Sequence, residues 1–212
     1  EKDVAPVALV GRVPVVLAAN AASPFANVGQ VIQTAKGKPN SVAYGSPGNG
    51  STPHMALEFL TRAAGIDLQH IPYRGGSQAI TDVIGGQLPL VAVNALEVLP
   101  HVKSGKARAL AVTGERRSPL MPDVPTFAEL GHKNLTVSSW AGISAPKGTP
   151  PEVVKKLQAA VLSSLAKPQI VSSFQADGMT PMPMGSDEYT QLMRSDFERW
   201  GQLTRALGLK GN

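Results

Sequence analysis

The chain has 212 residues, 42% hydrophobic and 17% charged, and it has no cysteine, which excludes disulfide frameworks, thiolate nucleophiles and cysteine-ligated metal sites. The formal net charge of +5 is dispersed and aromatic residues make up only 5%, so we expect no nucleic-acid partner and favour a small anion. No apolar run reaches the about 20 residues that cross a bilayer and the first residues lack a signal-peptide core, which predicts a soluble chain whose export signal has been removed.

The first part of the chain alternates between strand-like and helix-like segments. Residues 4–17, continuing to Asn20, predict one or two β-branched-rich strands with Pro14 at an edge or a bend. The next predicted elements, in chain order, are a helix at 25–36, a strand at 41–44, a helix at 53–64, a strand at 69–73, a helix at 77–84, a strand at 88–93, a helix at 95–103 and a strand at 107–113. Such alternation is typical of an α/β fold with a mostly parallel sheet that helices cover on both faces.

The second part of the chain has a different character. Residues 114–134 are loop-rich, with a turn of helix predicted at 126–130, and residues 137–145 form an extended run. From 151 onward the pattern is entirely helical, with two apolar stripes. Because these helices have no sheet of their own, they must dock on strands from elsewhere, either the opening strands or a missing N-terminal region.

The chemistry is concentrated in the segment YGSPGNGSTPH at residues 44–54, between a predicted strand and a predicted helix. Its glycines allow the backbone to turn N–H groups inward. Ser51 or Thr52 can cap the helix, and Pro53 suits the first helical position. Inward amides next to a helix N-terminus form an anion site that needs no charged side chain.

This loop lacks residues that two nucleotide-binding motifs require. Gly45 to Gly50 has the spacing of a phosphate-binding P-loop, but Ser51 replaces the lysine. The dinucleotide motif fails because Pro53 replaces its third glycine. A tight βα turn that binds nothing stays open as an alternative.

The sequence predicts no metal or other cofactor. The histidines share no metal-ligand spacing, and we interpret each as a hydrogen-bonded structural or surface residue: His54, His70, His101 and His132.

Known catalytic motifs are also absent, including G-x-S-x-G, H-E-x-x-H and paired carboxylates. An α/β enzyme that uses Ser46 or Ser51 as nucleophile and His54 as base stays open as an alternative, although no carboxylate partner for the histidine is evident.

Several segments have the order and spacing of a known family. They are SPGNGSTPH at 46–54, HIPYRG at 70–75, LPHVKSGK at 99–106, RALAVT at 108–113, RSP at 117–119, PDVPT at 122–126, and Trp140 through APKGTP at 145–150. At these residues the chain resembles the Bug family, the periplasmic solute-binding receptors of tripartite tricarboxylate transporters. The resemblance runs nearly from end to end.

The resemblance implies a type II periplasmic-binding-protein-like α/β fold with two lobes that close on a carboxylated ligand. It implies a remnant of lobe 1 at 1–17, a complete lobe 2 at 18–137 and the C-terminal part of lobe 1 at 138–212, with crossings near 17–20 and 137–140. The implied protein is no enzyme: it captures a small carboxylate and delivers it to the membrane components of a transporter.

Family members begin with a strand and a Pro/Gly-rich loop that supplies half of the carboxylate contacts, and this chain starts after that region. We therefore expect an N-terminally truncated receptor that binds its ligand roughly three orders of magnitude more weakly than the whole protein, since two or three charge-assisted hydrogen bonds are lost. The remnant lobe would expose apolar surface, which favours self-association.

The loop and the resemblance together give the candidate ligand-binding residues: Ser46, Gly48, Asn49, Gly50, Ser51, Thr52, His54, Tyr73, Arg74, Asn94 and Trp140. Tyr73 and Arg74 end a strand, where α/β folds bind ligands, and Arg74 either pairs with a distal carboxylate or is a surface residue. Val93 stands where many members carry aspartate before the asparagine, which argues against recognition of a ligand amino group.

Overall fold

A computed structural model describes residues 3–207. Its elements, in chain order, are β1 (Val4–Asn20), α1 (Val28–Gly37), β2 (Ala43–Ser46), α2 (Thr52–Ala64), β3 (Gln69–Pro72), α3 (Gly76–Ile84), β4 (Leu90–Asn94), α4 (Ala95–Lys103), β5 (Ala107–Val112), a 3₁₀ turn (Lys133–Leu135), β6 (Ser138–Pro146), α5 (Pro151–Leu165), α6 (Pro168–Ala176), β7 (Thr180–Met184) and α7 (Ser186–Leu207).

The chain divides into two compact units. Val13–Ser139 form the first, which we call the βα unit. The described residues on either side of it form the second, which we call the terminal unit. The assignment of these units to the lobes of a receptor stays a proposal.

The sheet of the βα unit has the strand order β3-β2-β4-β1-β5. Strand β2 is parallel to both β3 and β4, whereas β1 is antiparallel to both of its neighbours, β4 and β5. Strands β3, β2, β4 and β5 therefore share one direction, as predicted for a mostly parallel sheet. Strand β1 runs against these four strands, so the sheet is mixed.

The central strands of this sheet hold the core. Residues 15–19 of β1 and 90–93 of β4 are completely buried. Strands that are covered on both faces read as continuous hydrophobic runs, which is how both segments appear in the sequence. Full burial of each Val or Leu side chain contributes about 1.5–3 kcal/mol, so these two strands contribute strongly to the stability of the unit.

Pro14 lies inside β1, which is one continuous strand. It falls between Leu9 to Arg12, which pair with β7, and Val15 to Asn20, which pair with β4 and β5. The missing N–H of Pro14 therefore interrupts neither of these ladders, and of the two alternatives, one strand or two, the structure has one.

The terminal unit contains a strand that the sequence conceals. The expectation that all residues after 151 are helical is wrong, because β7 pairs antiparallel with the first part of β1. Its Pro181 and Pro183 remove ladder donors, so the segment does not read as a strand. Gly11 faces this strand so closely that a Cβ atom would lie 2.8 Å from the carbonyl oxygen of Thr180, which explains the glycine.

Helix α5 docks on the opening strand, the first of the two candidates considered above, whereas α6 and α7 contact β7. Val7 and Ala8 of β1 form a buried cluster with Ala145, and side chains of α5, Val154 and Val161 among them, pack against it. Part of the apolar stripe of α5 is thereby buried, whereas Val153 and Leu157 of the same helix are exposed.

Two local predictions also change. The helix expected from residue 25 begins at Val28, because the side chain of Asn27 accepts a hydrogen bond from the backbone of Gln30 and caps the helix there. Residues 126–130 form turns, with Thr126 bridged to Val112 of β5, and the helical turn comes later, at Lys133–Leu135.

Candidate functional site

Three helix N-termini meet one edge of the sheet in the βα unit. Strands β3, β2 and β4 run in the same direction, so their carboxyl ends lie together. Helices α2, α3 and α4 begin directly after these ends. We call this edge the carboxyl edge. Because each helix N-terminus carries partial positive charge and unpaired N–H groups, the edge favours anions.

The loop from Ser46 to Thr52, here called the glycine loop, joins β2 to α2. Gly48 and Gly50 have φ angles of 136° and 75°, which non-glycine residues rarely adopt. The Ser51 hydroxyl accepts the His54 N–H at 3.3 Å and caps α2, as one of the two sequence-based alternatives had it.

Part of the donor capacity of the glycine loop is used inside the loop. Gly48 N–H donates to the Ser46 hydroxyl at 3.2 Å, Gly50 N–H donates to His54 Nδ1 at 3.0 Å, and Ser51 N–H donates to the Gly48 carbonyl at 3.3 Å. The Ser51 hydroxyl also donates to that carbonyl, at 2.8 Å. The N–H groups of Gly48, Gly50 and Ser51 therefore already have partners inside the loop.

Two backbone donors of the loop are left over. Within residues 3–207, the N–H groups of Asn49 and Thr52 make no hydrogen bond to the protein, and neither do their side chains. Thr52 is the first residue of α2, so its amide lies at the positive end of the helix. These are the donors that the loop can offer to an anion.

Two histidines and a glutamate support the loop. The rings of His54 and His70 stack, with centroids 4.0 Å apart. His70 Nε2 lies 2.7 Å from the Ser46 hydroxyl, and Glu58 lies 3.6 Å from His54 Nε2 while it accepts the Tyr44 hydroxyl at 3.2 Å.

These surroundings shift the pKa values of both histidines and of Tyr44. Burial lowers the pKa of His70 to about 4, and neighbouring His54 lowers it as well. Burial also lowers the pKa of His54, while Glu58 opposes part of that shift. The pKa of Tyr44 is raised far above its usual range, first by burial and then by Glu58. Both histidines are therefore neutral at neutral pH.

Tyr73 and Arg74 follow β3, next to the glycine loop. The Tyr73 amide donates to the Ser46 carbonyl at 3.0 Å, and its hydroxyl donates to Asp82 at 2.6 Å. Burial, followed by the hydrogen bond to Asp82, raises the pKa of Tyr73 to about 12. Arg74 is exposed, and among the described residues it has no hydrogen-bond or ion-pair partner.

Asn94 ends β4 at the same edge. Its side-chain oxygen accepts the Ser139 hydroxyl at 2.6 Å, and its backbone N–H donates to Glu97 at 3.0 Å. The Glu97 carboxylate also lies against Gly76, where it would overlap a Cβ atom, so an acidic group occupies the start of α3.

Trp140 belongs to the terminal unit. Its indole N–H donates to Asp196 at 2.6 Å, and its ring packs edge-on against Tyr189 at 5.5 Å between centroids. The polar atom of this candidate residue is therefore already paired within its own unit.

Glu58, Glu97 and the role of His70 were not predicted from the sequence. Glu97 was detectable, because an acidic residue three positions after a helix-capping asparagine is a capping-box signal. Glu58 and His70 reach the loop through strand pairing and helix packing, for which the local sequence has no signal. In the described part of the chain no group of three or more His, Cys, Asp or Glu could hold a metal ion. No helix within residues 3–207 is long and apolar enough to span a membrane.

Comparison with known proteins decides the family. The family model described as "Tripartite tricarboxylate transporter family receptor", TctC, matches residues 1–209. The chain belongs to this family. The expected resemblance and the α/β periplasmic-binding-protein fold are thereby confirmed, and family and fold are those of solute-binding receptors.

Relatives and solved structures agree with this assignment. The chain is 34% identical to protein BugT of Bordetella pertussis over 209 residues, which cover 99% of this chain and 64% of BugT. It superposes on Rpa4515 of R. palustris with adipate with a TM-score of 0.92, 28% identity and coverage of 97% of this chain and 69% of that one. MatC of Rhodopseudomonas palustris with bound malate gives a TM-score of 0.87, 27% identity and coverage of 94% and 69%. The chain thus spans less than two thirds of the length of BugT.

Proposed function

We propose that this chain is the ligand-binding part of a periplasmic receptor that captures a small carboxylate and delivers it to the membrane components of a tripartite tricarboxylate transporter. Family membership supports the receptor class and the periplasmic location. The similar proteins that were solved with adipate and with malate support the ligand class. The observation that carries the proposal is the pair of unpartnered donors, Asn49 and Thr52, at the carboxyl edge.

A carboxylate at this edge would accept the Asn49 and Thr52 N–H groups and the Thr52 hydroxyl, directly or through water. Hydrogen bonds to a charged group are stronger than neutral ones, and the helix N-termini add a favourable field. Arg74, exposed at the end of β3, is the candidate partner for a distal carboxylate. The remaining candidate ligand contacts stay predictions.

Thr52→Val should weaken dicarboxylate binding about tenfold, because it removes one donor to a charged acceptor while it keeps the shape of the side chain. Isothermal titration calorimetry with adipate and malate measures the change. Thr34→Val is the matched control, since Thr34 lies exposed in α1 and its hydroxyl donates to the Gln30 carbonyl. Absence of binding for every di- and tricarboxylate tested would contradict the proposed function.

The contacts of Ser51 and His54 do not favour the enzyme alternative, and the Ser46 hydroxyl contacts His70 rather than His54. The Ser51 hydroxyl donates to the Gly48 carbonyl, and His54 Nδ1 accepts from Gly50, so the side chains of Ser51 and His54 do not form a nucleophile and base pair. We infer that the chain is not an enzyme. Turnover of generic esters that disappears in Ser51→Ala would contradict this.

Self-association of this chain is a further proposal. The terminal unit exposes large apolar side chains: Ile143, Val153, Leu157 and Phe197, the last with 79% of its surface accessible. Apolar surface of this kind favours pairing with a second copy. Light scattering should show a concentration-dependent rise in mass that Phe197→Ser reduces, and a monomer at every concentration would refute it.

A further inference from the structure

Two histidines from different elements lie face to face beside the glycine loop. His54 belongs to the first turn of α2 and His70 to β3, and their ring planes are inclined by only 19° at a centroid separation of 4.0 Å. His54 is 4% exposed. The proposed carboxylate contacts do not involve either ring, so the proposed function alone does not explain the stacked pair.

The protonation state of His54 is fixed by its partners. Gly50 N–H donates to Nδ1 at 3.0 Å, so this nitrogen must be an acceptor without a proton. The neutral ring therefore carries its proton on Nε2, which lies 3.6 Å from a carboxylate oxygen of Glu58. Protonation of Nδ1 would place two N–H groups against each other and break the bond to Gly50.

His70 holds the other arm of the loop. Its Nε2 is 2.7 Å from the Ser46 hydroxyl, whose oxygen also accepts the Gly48 N–H at 3.2 Å. The stacked rings therefore fix the loop at Gly48 through Ser46 and at Gly50 directly. The Asn49 amide lies between these two points, and the Thr52 amide follows shortly after them.

Glu58 compensates only part of the cost of a positive charge at the pair, because burial outweighs it at His54. On α2 itself the facing group is Glu58, and β2 contributes Tyr44, whose hydroxyl already donates to that carboxylate. Strand β4 and the 3₁₀ turn also contact α2; β4 carries no titratable side chain, and the turn carries Lys133, which is exposed. Two cationic rings at this separation would repel each other.

We propose that the stacked His54 and His70 are positioning residues that hold the glycine loop in its carboxylate-binding form while neutral and release it when protonated. The receptor then binds its ligand at neutral pH and loses affinity in acid. This inference rests on the proposed function. Burial keeps the pKa of both rings below the ordinary histidine value, so the release begins only when the pH falls below about 6.5.

Nuclear magnetic resonance of the ligand-free chain tests the mechanism without any ligand. Long-range ¹H–¹⁵N correlation should show the Nε2–H tautomer of His54 at pH 7.5, and the Gly50 amide shift should follow the titration of His54 between pH 7.5 and 4. A proton on Nδ1 of neutral His54, or a Gly50 amide that ignores the titration, would overturn the inference even if carboxylates bind.

Affinity measurements separate positioning from simple structural support. His54→Asn places an amide oxygen where Nδ1 accepts the Gly50 N–H, so it should retain binding of adipate or malate at pH 7.5. His54→Leu should lose about tenfold at that pH. Between pH 7.5 and 4.5 the wild type should lose about tenfold more affinity than His54→Asn, because ligand protonation is the same for both. His101→Asn on α4 is the control and should follow the wild type.

Parallel pH profiles for wild type and His54→Asn would overturn the inference. If no carboxylate binds any of these proteins at pH 7.5, the proposed function fails, and the resonance experiment alone decides whether the pair positions the loop.

Discussion

Gly48→Ala should weaken carboxylate binding by up to about 100-fold. The φ angle of Gly48 is 136°, and a Cβ atom there would lie 3.2 Å from the Tyr73 carbonyl oxygen. A non-glycine residue in such a conformation costs about 1–3 kcal/mol, which corresponds to about 5- to 100-fold in an equilibrium constant. The backbone of Gly48 also bonds Ser46 and Ser51, so relief of the strain disrupts the arrangement that presents Asn49 and Thr52.

Titration calorimetry with adipate and malate measures this loss, and circular dichroism verifies that the variant is folded. Gly86→Ala is the matched control, because Gly86 also has a positive φ, 77°, but lies before β4 with open space around it. Gly86→Ala should lose stability and keep its affinity. Unchanged affinity in Gly48→Ala would show that the loop conformation does not govern binding.

Much of the glycine loop could be predicted from the sequence because its determinants are local. Glycines at 48 and 50 meet backbone angles that other residues avoid, and Ser51 and Pro53 mark the start of α2 to within one residue. The alternating elements of the βα unit were located for the same reason, since periodicity and breakers act over a few residues.

Features that depend on pairing between distant segments were not accessible. The antiparallel pairing of β1 with β4 depends on which strands become neighbours in the sheet, and the local sequence does not determine that. Strand β7 was not predicted because Pro181 and Pro183 are atypical of a strand. The number of amides left for a ligand also required coordinates, because Gly50 N–H is satisfied by a side chain four residues later.

The contacts of His70 with Ser46 and His54 also depend on pairing between distant segments, here on the register of β3 against β2. Parallel pairing sets His70 opposite Tyr44, and this brings the imidazole of β3 to the Ser46 hydroxyl and to the ring of His54. A sequence with isolated histidines at 54 and 70 contains no signal for such a contact, so each was interpreted as an independent structural or surface residue. In the structure the two rings stack, and this pair is the proposed origin of the pH dependence of the glycine loop.

Acidification should destabilise the βα unit by about 2 kcal/mol between pH 6.5 and 4. The pKa of His70 is about 4 in the folded chain and about 6.5 in the unfolded chain, so the unfolded state binds more protons in this interval. The stabilising contribution is therefore complete above pH 6.5 and is lost as the pH falls towards 4. One pKa unit corresponds to about 1.4 kcal/mol, and solvent screens part of the shift because the ring is partly exposed.

Urea denaturation at pH 7.5, 6, 5 and 4.5 measures this slope, with the amide resonances of residues 13–139 reporting on the βα unit. The two tryptophans of the chain, Trp140 and Trp200, lie in the terminal unit, so tryptophan fluorescence follows that unit in the same samples. His70→Gln keeps a polar atom for the Ser46 hydroxyl but cannot titrate, and it should flatten the slope by about 2 kcal/mol. The remaining titratable groups are unchanged in this variant. If the free energy of unfolding changes with pH equally in wild type and variant, protonation of His70 does not destabilise the folded chain. The histidine pair would then have no part in acid sensitivity.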